Sequence, residues 1–211
     1  MLTVRSVSHR YANTLVLAAP DLELARDEHC AVVGPSGSGK TTLLHILAGI
    51  LRPTSGDVAL DGHALYPPIA RHDRWRARRI GVVPQKLHLL ASLSALDNVR
   101  LAQYLVGNIA HDDAHTLLTD LGLQARLHAR PEELSVGEQQ RAAIARAIVN
   151  KPHLLLADEP TSSLDDSNAE QAVDLLFEAA RISGALLVVA THDARIRERF
   201  VRQVHLARTH A

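Results

Sequence analysis

A glycine-rich segment lies between a short apolar run and a helical pattern near the start of the chain. Residues 29–33 (HCAVV) predict a buried strand, residues 34–41 (GPSGSGKT) follow directly, and residues 40–51 have helical spacing. Glycines let a backbone wrap closely around an anion with its N–H groups pointing inward, and the positive end of the next helix favours negative charge. The match to G-x-x-x-x-G-K-[ST], in its required strand-to-helix context, predicts a phosphate-binding loop rather than an ordinary glycine-rich turn.

The side chains of this loop have predicted roles that follow from their chemistry. Lys40 is expected to reach the β- and γ-phosphates of a nucleotide. The hydroxyl of Thr41 is expected to be a ligand of Mg²⁺, a small hard cation that prefers oxygen ligands. The residues predicted to bind the nucleotide in this segment are Gly34, Pro35, Ser36, Gly37, Ser38, Gly39, Lys40, Thr41 and Thr42.

Two later apolar runs predict strands of a parallel sheet. Residues 153–157 (HLLLA) and residues 185–190 (ALLVVA) are apolar almost throughout, and residues 167–181 between them have helical spacing. Continuous apolar strands that alternate with helices are typical of a parallel sheet covered on both faces. Ligands of such sheets bind at the carboxyl ends of the strands, so the loops that begin near residues 34, 85 and 158 are expected to converge on one site.

The remaining segments predict two additions to this α/β core. Residues 2–7 and 14–24 have strand-like spacing and predict a small antiparallel β subdomain, whereas residues 86–150 take helical spacing and predict an inserted α-helical subdomain. A length of 211 residues suits one domain of the larger sort. We therefore expect a single domain, residues 1–211, with a mainly parallel sheet.

Asp158 and Glu159 stand where the first of these apolar runs ends. A carboxylate there can face the phosphate loop from a neighbouring strand, which suits Asp158 as a second residue of the magnesium site. Glu159 can accept a proton from a water that attacks the γ-phosphate. The alternative, a surface Asp-Glu pair without a task, is disfavoured by the apolar residues that precede it.

The segment 134–141 (LSVGEQQR) resembles LSGGQ, the signature sequence of ABC ATPases, and precedes Asp158 by about the interval found in that family. Almost the whole chain fits this resemblance, and the chain is identified as a member of the ABC ATPase family. The resemblance implies the ABC ATPase fold, a P-loop NTPase core, together with ATP hydrolysis that depends on Mg²⁺. ATP and Mg²⁺ are thus the expected cofactors.

The resemblance also implies roles for residues outside the phosphate loop. Gln85 corresponds to the Q-loop residue, with a part in catalysis and in the magnesium site, and His192 to the switch histidine that contacts the γ-phosphate. Tyr11 corresponds to the residue that stacks on adenine, and residues 162–165 (SSLD) to the D-loop.

The signature segment implies a second copy of the chain. A Ser and a Gly at the start of a helix offer a hydroxyl and backbone N–H groups to an anion, which resembles half a phosphate site. In the family this half meets the phosphate loop of another subunit, which implies a homodimer in which Ser135, Gly137 and Glu138 bind the ATP of the partner. A plainer reading is that Ser135 caps the helix and Glu138 completes a capping box; both readings can hold at once.

Two positions depart from the family pattern. Val136 occupies a place usually filled by Gly, so close apposition across the dimer is less assured. Asp27 stands where a Gly usually precedes the first core strand, and Asp tolerates left-handed turn geometry better than most residues.

Composition limits the partners. Lys plus Arg and Asp plus Glu both total 23, so no net field favours nucleic acid, and no nucleic-acid partner is expected. No apolar run approaches the length of a membrane span and no signal peptide is evident. With the resemblance, this predicts a protein on the cytoplasmic face of the inner or plasma membrane, attached through separate transmembrane permease subunits.

Two residue types need no function in this scheme. Cys30 lies in an apolar run and is expected to be a buried, unreactive thiol. His111 and His115 lie four residues apart on a predicted helix and could share a metal, but no third ligand is near them in sequence.

Three functions remain open at this point. A subunit of an ABC transporter is favoured. The sequence of residues 131–165 resembles that of the lipoprotein-release and macrolide-efflux group, which implies an exporter or a lipoprotein- or lipophile-extruding type. A mechanical or regulatory partner of a membrane protein, as in the cell-division ABC complex, also fits. A P-loop kinase or GTPase would leave residues 134–141 unexplained and lacks an evident acceptor site.

Overall fold

The strands of the computed structural model form one parallel and one antiparallel sheet. The structure describes residues 1–26, 28–66, 73–108, 113–162 and 166–209, without the side chains of residues 166–168. The strands are β1 (Leu2–Tyr11), β2 (Thr14–Ala18), β3 (Leu22–Leu24), β4 (Cys30–Val33), β5 (Ser55–Leu60), β6 (His63–Ala64), β7 (Ile80–Val83), β8 (Leu154–Asp158), β9 (Leu186–Thr191) and β10 (Arg202–His205). The helices are α1 (Lys40–Leu47), α2 (Asp73–Arg79), α3 (Ala95–Leu105), α4 (Asp113–Asp120), α5 (Val136–Ile148), α6 (Asp166–Ser183) and α7 (Ala194–Arg197), with 3₁₀ turns at Gln124–Arg126 and Pro131–Glu133.

The parallel sheet has the order β10-β4-β9-β8-β7, and each neighbouring pair is parallel. Strands β4, β8 and β9 are buried along their whole length, as their continuous apolar sequence predicts. Since β9 lies between β4 and β8, the segments after these three strands emerge side by side. The prediction of a mainly parallel α/β core is confirmed.

Each face of the parallel sheet packs into its own core, because successive side chains of a strand point to opposite faces. On one face, Val33, Leu155 and Val189 pack in a cluster with residues of α3, α4, α5 and α6. On the other face, Val32, Leu156 and Val188 pack in a cluster with residues of α1 and of the antiparallel sheet. Cys30 belongs to the second cluster, and burial raises the pKa of its thiol to about 12, as expected for an unreactive cysteine.

The antiparallel sheet has the order β2-β1-β5-β6, with β3 also paired to β1. This confirms the predicted antiparallel layer, although β1 continues to Tyr11 rather than ending at residue 7. The pairing of β1 with β2 shifts in register between His9 and Arg10. After this irregularity the strand continues, and Tyr11 pairs with Thr14.

Helix α1 is shorter than its pattern predicts, ending at Leu47 instead of residue 51. Gly49 has a φ of 67°, a left-handed conformation that commonly ends helices, and its N–H donates to the carbonyl of Ile46 at 2.9 Å. Residues 50 and 51 therefore leave the helix although they continue its apolar spacing.

The predicted helical subdomain contains α3, α4 and α5. Helix α5 packs against α3 and α4 but also against α6 and β7 of the core. Because α5 packs against both the helical subdomain and the core, the limits of 86–150 for an inserted subdomain stay a prediction. Across the parts of the chain that the structure covers, we find no helix that is long and apolar enough to span a bilayer.

The carboxylate of Asp61, in the turn between β5 and β6, ties the antiparallel sheet to the core. It accepts hydrogen bonds from the amine of Met1 at 2.8 Å and from Arg26 at 3.2 Å, and it also contacts the ring of His153 beside β8. Partial burial raises the pKa of Asp61, but these hydrogen bonds outweigh that effect and hold the pKa well below its ordinary value.

Replacing Asp61 with Asn is therefore expected to lower the free energy of unfolding by about 1 to 2 kcal/mol at pH 7. Because folding lowers the pKa of the carboxyl, its stabilisation is present above the unfolded-state value near 3.9 and is lost as the pH falls toward the folded value. Urea unfolding at pH values from 7 to 3.5 should show that the difference in the free energy of unfolding between the Asp61→Asn protein and the unmodified protein becomes smaller as the pH falls. Asp57→Asn, at an exposed position of β5, is the control. An Asp61→Asn protein as stable as the unmodified one at pH 7 would contradict this account.

Candidate nucleotide-binding site

The loop between β4 and α1 is closed by a glycine that no other residue can replace without strain. Gly39 caps α1 with a φ of 88°, in the left-handed region. A Cβ on Gly39 would lie 2.6 Å from the carbonyl oxygen of Val16 in β2. The loop therefore turns tightly against the antiparallel sheet and directs the amino end of α1 at the space above the carboxyl ends of the strands.

That space is a cleft of about 470 Å³. It is lined by Tyr11, Val16, Ser36, Gly37, Gly39, Lys40, Thr41, Thr42, Gln85, Glu159 and His192. The loops that follow β4, β7 and β8 thus meet in one place, as predicted for the loops near residues 34, 85 and 158. His192, after β9, joins them. Val16 is the one lining residue that the sequence did not suggest, and nothing in its pattern distinguishes it from other half-buried strand residues.

Lys40 lies at the floor of the cleft and is only 7% exposed. Its ammonium group donates to the carbonyl oxygens of Gly34 at 2.8 Å and Pro35 at 3.2 Å. It also forms an ion pair with Glu159 Oε1 at 3.2 Å. The lysine is therefore held inside the loop, with its charge directed into the cleft.

Glu159 adopts an unusual backbone conformation that directs its carboxylate into the cleft. Its φ is 45°, in the left-handed region, and its N–H donates to the carbonyl of Ala190 in β9 at 2.8 Å. One carboxylate oxygen contacts Lys40, and the other contacts Nδ1 of His192 at 2.8 Å. Strained backbone of this kind is common at functional sites. The geometry suits a base that is oriented by a histidine.

Asp158 lies beneath Glu159 and is buried at the end of β8. Burial raises the pKa of its carboxyl, while a hydrogen bond from the hydroxyl of Thr41 acts to lower it. Its Oδ1 has no hydrogen-bond partner within the described ranges. A buried, unpaired carboxylate oxygen beside a threonine hydroxyl fits a hard divalent cation such as Mg²⁺.

Protein side chains alone do not complete a metal centre here. The described residues contain no cluster of three or more His, Cys, Asp or Glu side chains that could hold a metal. Mg²⁺ is usually held by one or two protein ligands together with water and phosphate oxygens, so this set is consistent with a metal that arrives with its nucleotide.

Gln85 and Tyr11 lie at the rim of the cleft. The side-chain amide of Gln85 donates to Ser162 Oγ at 3.2 Å, which links the loop after β7 to the first residue of the predicted D-loop. Tyr11 is 53% exposed, and its ring meets the ring of His9 edge-on, with 4.7 Å between the ring centroids. Both positions are compatible with the predicted roles at the metal and the adenine, which stay predictions.

Two polar side chains that sequence reasoning missed support the segment after Gln85. Arg146 of α5 donates to the carbonyl oxygens of Leu87 at 2.6 Å and His88 at 2.7 Å. The buried amide of Asn98 pairs with both backbone groups of Leu90. A polar residue at an apolar helical position was the available signal for Asn98.

The signature residues lie elsewhere. Ser135 and Gly137 line a separate groove of about 610 Å³ between α5 and α6, and neither they nor Glu138 are among the described residues that line the cleft. Ser135 caps α5: its Oγ accepts from the N–H of Glu138 at 3.3 Å, and Glu138 Oε2 accepts from the N–H of Ser135 at 2.8 Å. The predicted capping box is confirmed. Val136 is 60% exposed, so its side chain does not disturb the helix start.

The hydroxyl of Ser135 also interacts with the carboxylate of Glu138, in addition to accepting from the N–H of Glu138. The backbone N–H of Ser135 holds the pKa of Glu138 below its ordinary value. The cleft and the groove beside the signature segment are therefore separate surfaces of one chain. Asp27, His111 and the D-loop residues 163–165 lie outside the described residues.

Comparison with known proteins places these features in a family. The family model described as "ABC transporter" matches residues 17–162. The lipoprotein-releasing system ATP-binding protein LolD of Shewanella oneidensis is 43% identical over 97% of this chain and 92% of its own length. LolD of Syntrophotalea carbinolica is 44% identical over 91% and 86%.

Solved structures give the same result for the fold. A dimeric post-hydrolysis state of the ATP-binding cassette MJ0796, bound to ADP and Pi, superposes with a TM-score of 0.85 at 30% identity and covers 100% of this chain and 97% of that one. A second dimeric structure of MJ0796, a bacterial ABC transporter cassette, has the same TM-score over 98% of this chain and 94% of that one. This chain therefore belongs to the ABC transporter family, in which it is an ATP-binding subunit that hydrolyses ATP.

Proposed function

We propose that two copies of this chain form an ATP-driven motor for a membrane complex that releases lipoproteins. The observation that supports this proposal is that the phosphate loop and the signature segment lie at different surfaces of one chain. The cleft holds the phosphate loop and Glu159, whereas Ser135 and Gly137 line another groove. A second copy, turned so that its signature segment covers the cleft, would complete both sites at once.

In this mechanism each part of the cleft has one task. Residues 34–42 wrap the phosphates, with Lys40 contacting the β- and γ-phosphates, and Tyr11 stacks on adenine. Thr41, Asp158 and Gln85 would hold Mg²⁺, which would offset negative charge on the phosphates.

Hydrolysis requires a base close to the γ-phosphate. Glu159 takes the proton from the attacking water, and His192, hydrogen-bonded to Glu159 at 2.8 Å, orients that carboxylate and contacts the γ-phosphate. Asp158 and Glu159 are consecutive in the chain, so metal binding and base chemistry are divided between two adjacent carboxylates.

The partner copy contributes the start of its helix α5. The hydroxyl of Ser135 and the backbone N–H groups near Gly137 face the γ-phosphate, and Glu138 lies beside the nucleotide. ATP thus joins the copies, and loss of the γ-phosphate lets them separate. The dimeric state of MJ0796 supports this arrangement.

The motion has to reach a separate permease. We propose that residues 86–150 and the Gln85 loop receive the transmembrane subunits, which keep the chain at the cytoplasmic face of the inner or plasma membrane. Arg146 and Asn98 stiffen the segment after Gln85, so that closure of the cleft moves this surface as one unit. The names of the LolD relatives support lipoprotein release as the work done.

The test is a release assay with the chain and the membrane proteins that co-purify with it from native membranes. Reconstituted in vesicles that contain a lipidated protein, the complex should release that protein when ATP and Mg²⁺ are added. A complex with Lys40→Ala is the control and should release none. ATP hydrolysis without release would contradict the lipoprotein function and favour a mechanical or regulatory role.

A further inference from the structure

The ammonium group of Lys40 has three partners within the chain. It donates hydrogen bonds to the carbonyl oxygens of Gly34 and Pro35, and it forms an ion pair with the carboxylate of Glu159 at 3.2 Å. Two of the three acceptors belong to the phosphate loop itself. The third belongs to the neighbouring strand and is the residue assigned as the base.

Glu159 is equally occupied. It is 11% exposed on its side chain, one oxygen is paired with Lys40, and the other with His192. The ion pair is also poorly hydrated at both ends, which strengthens it relative to a surface pair.

We infer that the Lys40–Glu159 ion pair weakens the binding of a triphosphate relative to a diphosphate, because a third phosphate has to draw Lys40 away from Glu159. The inference rests on the proposed function. A β-phosphate can replace the two loop carbonyls as acceptors for Lys40 and leave Glu159 paired. A γ-phosphate, which lies next to the base, needs the remaining donor, and its negative charge is repelled by the Glu159 carboxylate.

The exchange has two consequences. Binding of the triphosphate carries the cost of breaking the ion pair, whereas binding of the diphosphate does not. When Lys40 turns to the γ-phosphate, Glu159 keeps only its contact with His192. After the phosphate leaves, Lys40 can pair with Glu159 again, which favours the diphosphate state.

The test compares nucleotide affinities in a chain that cannot dimerise. In a Ser135→Arg background, calorimetry would measure the Kd of a non-hydrolysable ATP analogue and of ADP, each with Mg²⁺. Glu159→Gln and Glu159→Ala should both tighten binding of the analogue about tenfold, the effect of losing one charged hydrogen-bond partner. The affinity for ADP should change by less than about threefold, within the usual effect of a change away from the ligand.

Asp193→Asn is the matched control, since this carboxylate follows His192 and pairs with Arg195 rather than Lys40. It should leave the ratio of the two affinities unchanged. An equal change for both nucleotides, an unchanged affinity for the analogue, or the same ratio shift in Asp193→Asn would overturn the inference while the proposed function stands. If the Ser135→Arg protein bound neither nucleotide, the proposed function would fail with it.

Discussion

Replacing Glu159 with Gln is expected to lower ATP turnover by a factor of about 10² to 10⁴, the usual contribution of a positioned general base. Gln cannot take a proton from water, although it keeps the size of the side chain and can still contact His192. ATP binding should persist, because the phosphate loop is unchanged. Phosphate release under steady-state conditions and in a single turnover would measure the effect on chemistry directly.

Glu198→Gln provides the control for this prediction, since Glu198 is an exposed carboxylate at the end of α7. It should leave turnover within about twofold of the unmodified protein, as expected for a surface change. If Glu159→Gln also kept turnover within that range, Glu159 would not be the base, and the interpretation of its contacts with Lys40 and His192 would have to change.

Substituting Arg for Ser135 is expected to abolish turnover and dimerisation while ATP binding to the single chain is kept. Ser135 is exposed at the start of α5 and lies outside the cleft, so the new side chain obstructs only the approach of a partner. Lys40→Ala, in contrast to Ser135→Arg, should weaken ATP binding to the single chain, on the order of 10²-fold, because a charged contact to the phosphates is lost. Calorimetry for binding and phosphate release for turnover separate the two effects.

Ser135→Ala controls for the loss of the helix cap in this second comparison. Removing the capping oxygen should cost about 1 kcal/mol of stability, and thermal unfolding would measure it. An equal loss of ATP binding in Ser135→Arg and Lys40→Ala would contradict the division of the site between two copies.

Local patterns predicted the elements that carry the site. The apolar runs that became β4, β8 and β9 were recognisable because a parallel sheet with two covered faces needs strands that are apolar throughout. The capping box of Ser135 and Glu138 was recognisable because both partners lie within one helical turn. The strand pattern and the capping box each depend on interactions or spacing within a few consecutive residues, so the sequence alone shows them.

Long-range contacts were not predictable from one sequence. The link between Asp61 and His153 joins residues 92 positions apart, and the pair of Gln85 and Ser162 joins residues 77 apart. The ion pair of Lys40 with Glu159 depends on the order of strands in the sheet and on the positive φ of Glu159, neither of which a local pattern encodes. Sequence thus predicted which residues line the cleft more fully than it predicted their contacts.

The central claim is that ATP joins two copies of this chain, and the molar mass of the Glu159→Gln protein in solution tests it most directly. With ATP and Mg²⁺, light scattering after size-exclusion chromatography should give twice the 23.0 kDa of the chain, and without ATP it should give 23.0 kDa. The double variant Ser135→Arg, Glu159→Gln should stay at the lower mass in both conditions. A Glu159→Gln protein that binds ATP and yet keeps a mass of 23.0 kDa would contradict the account.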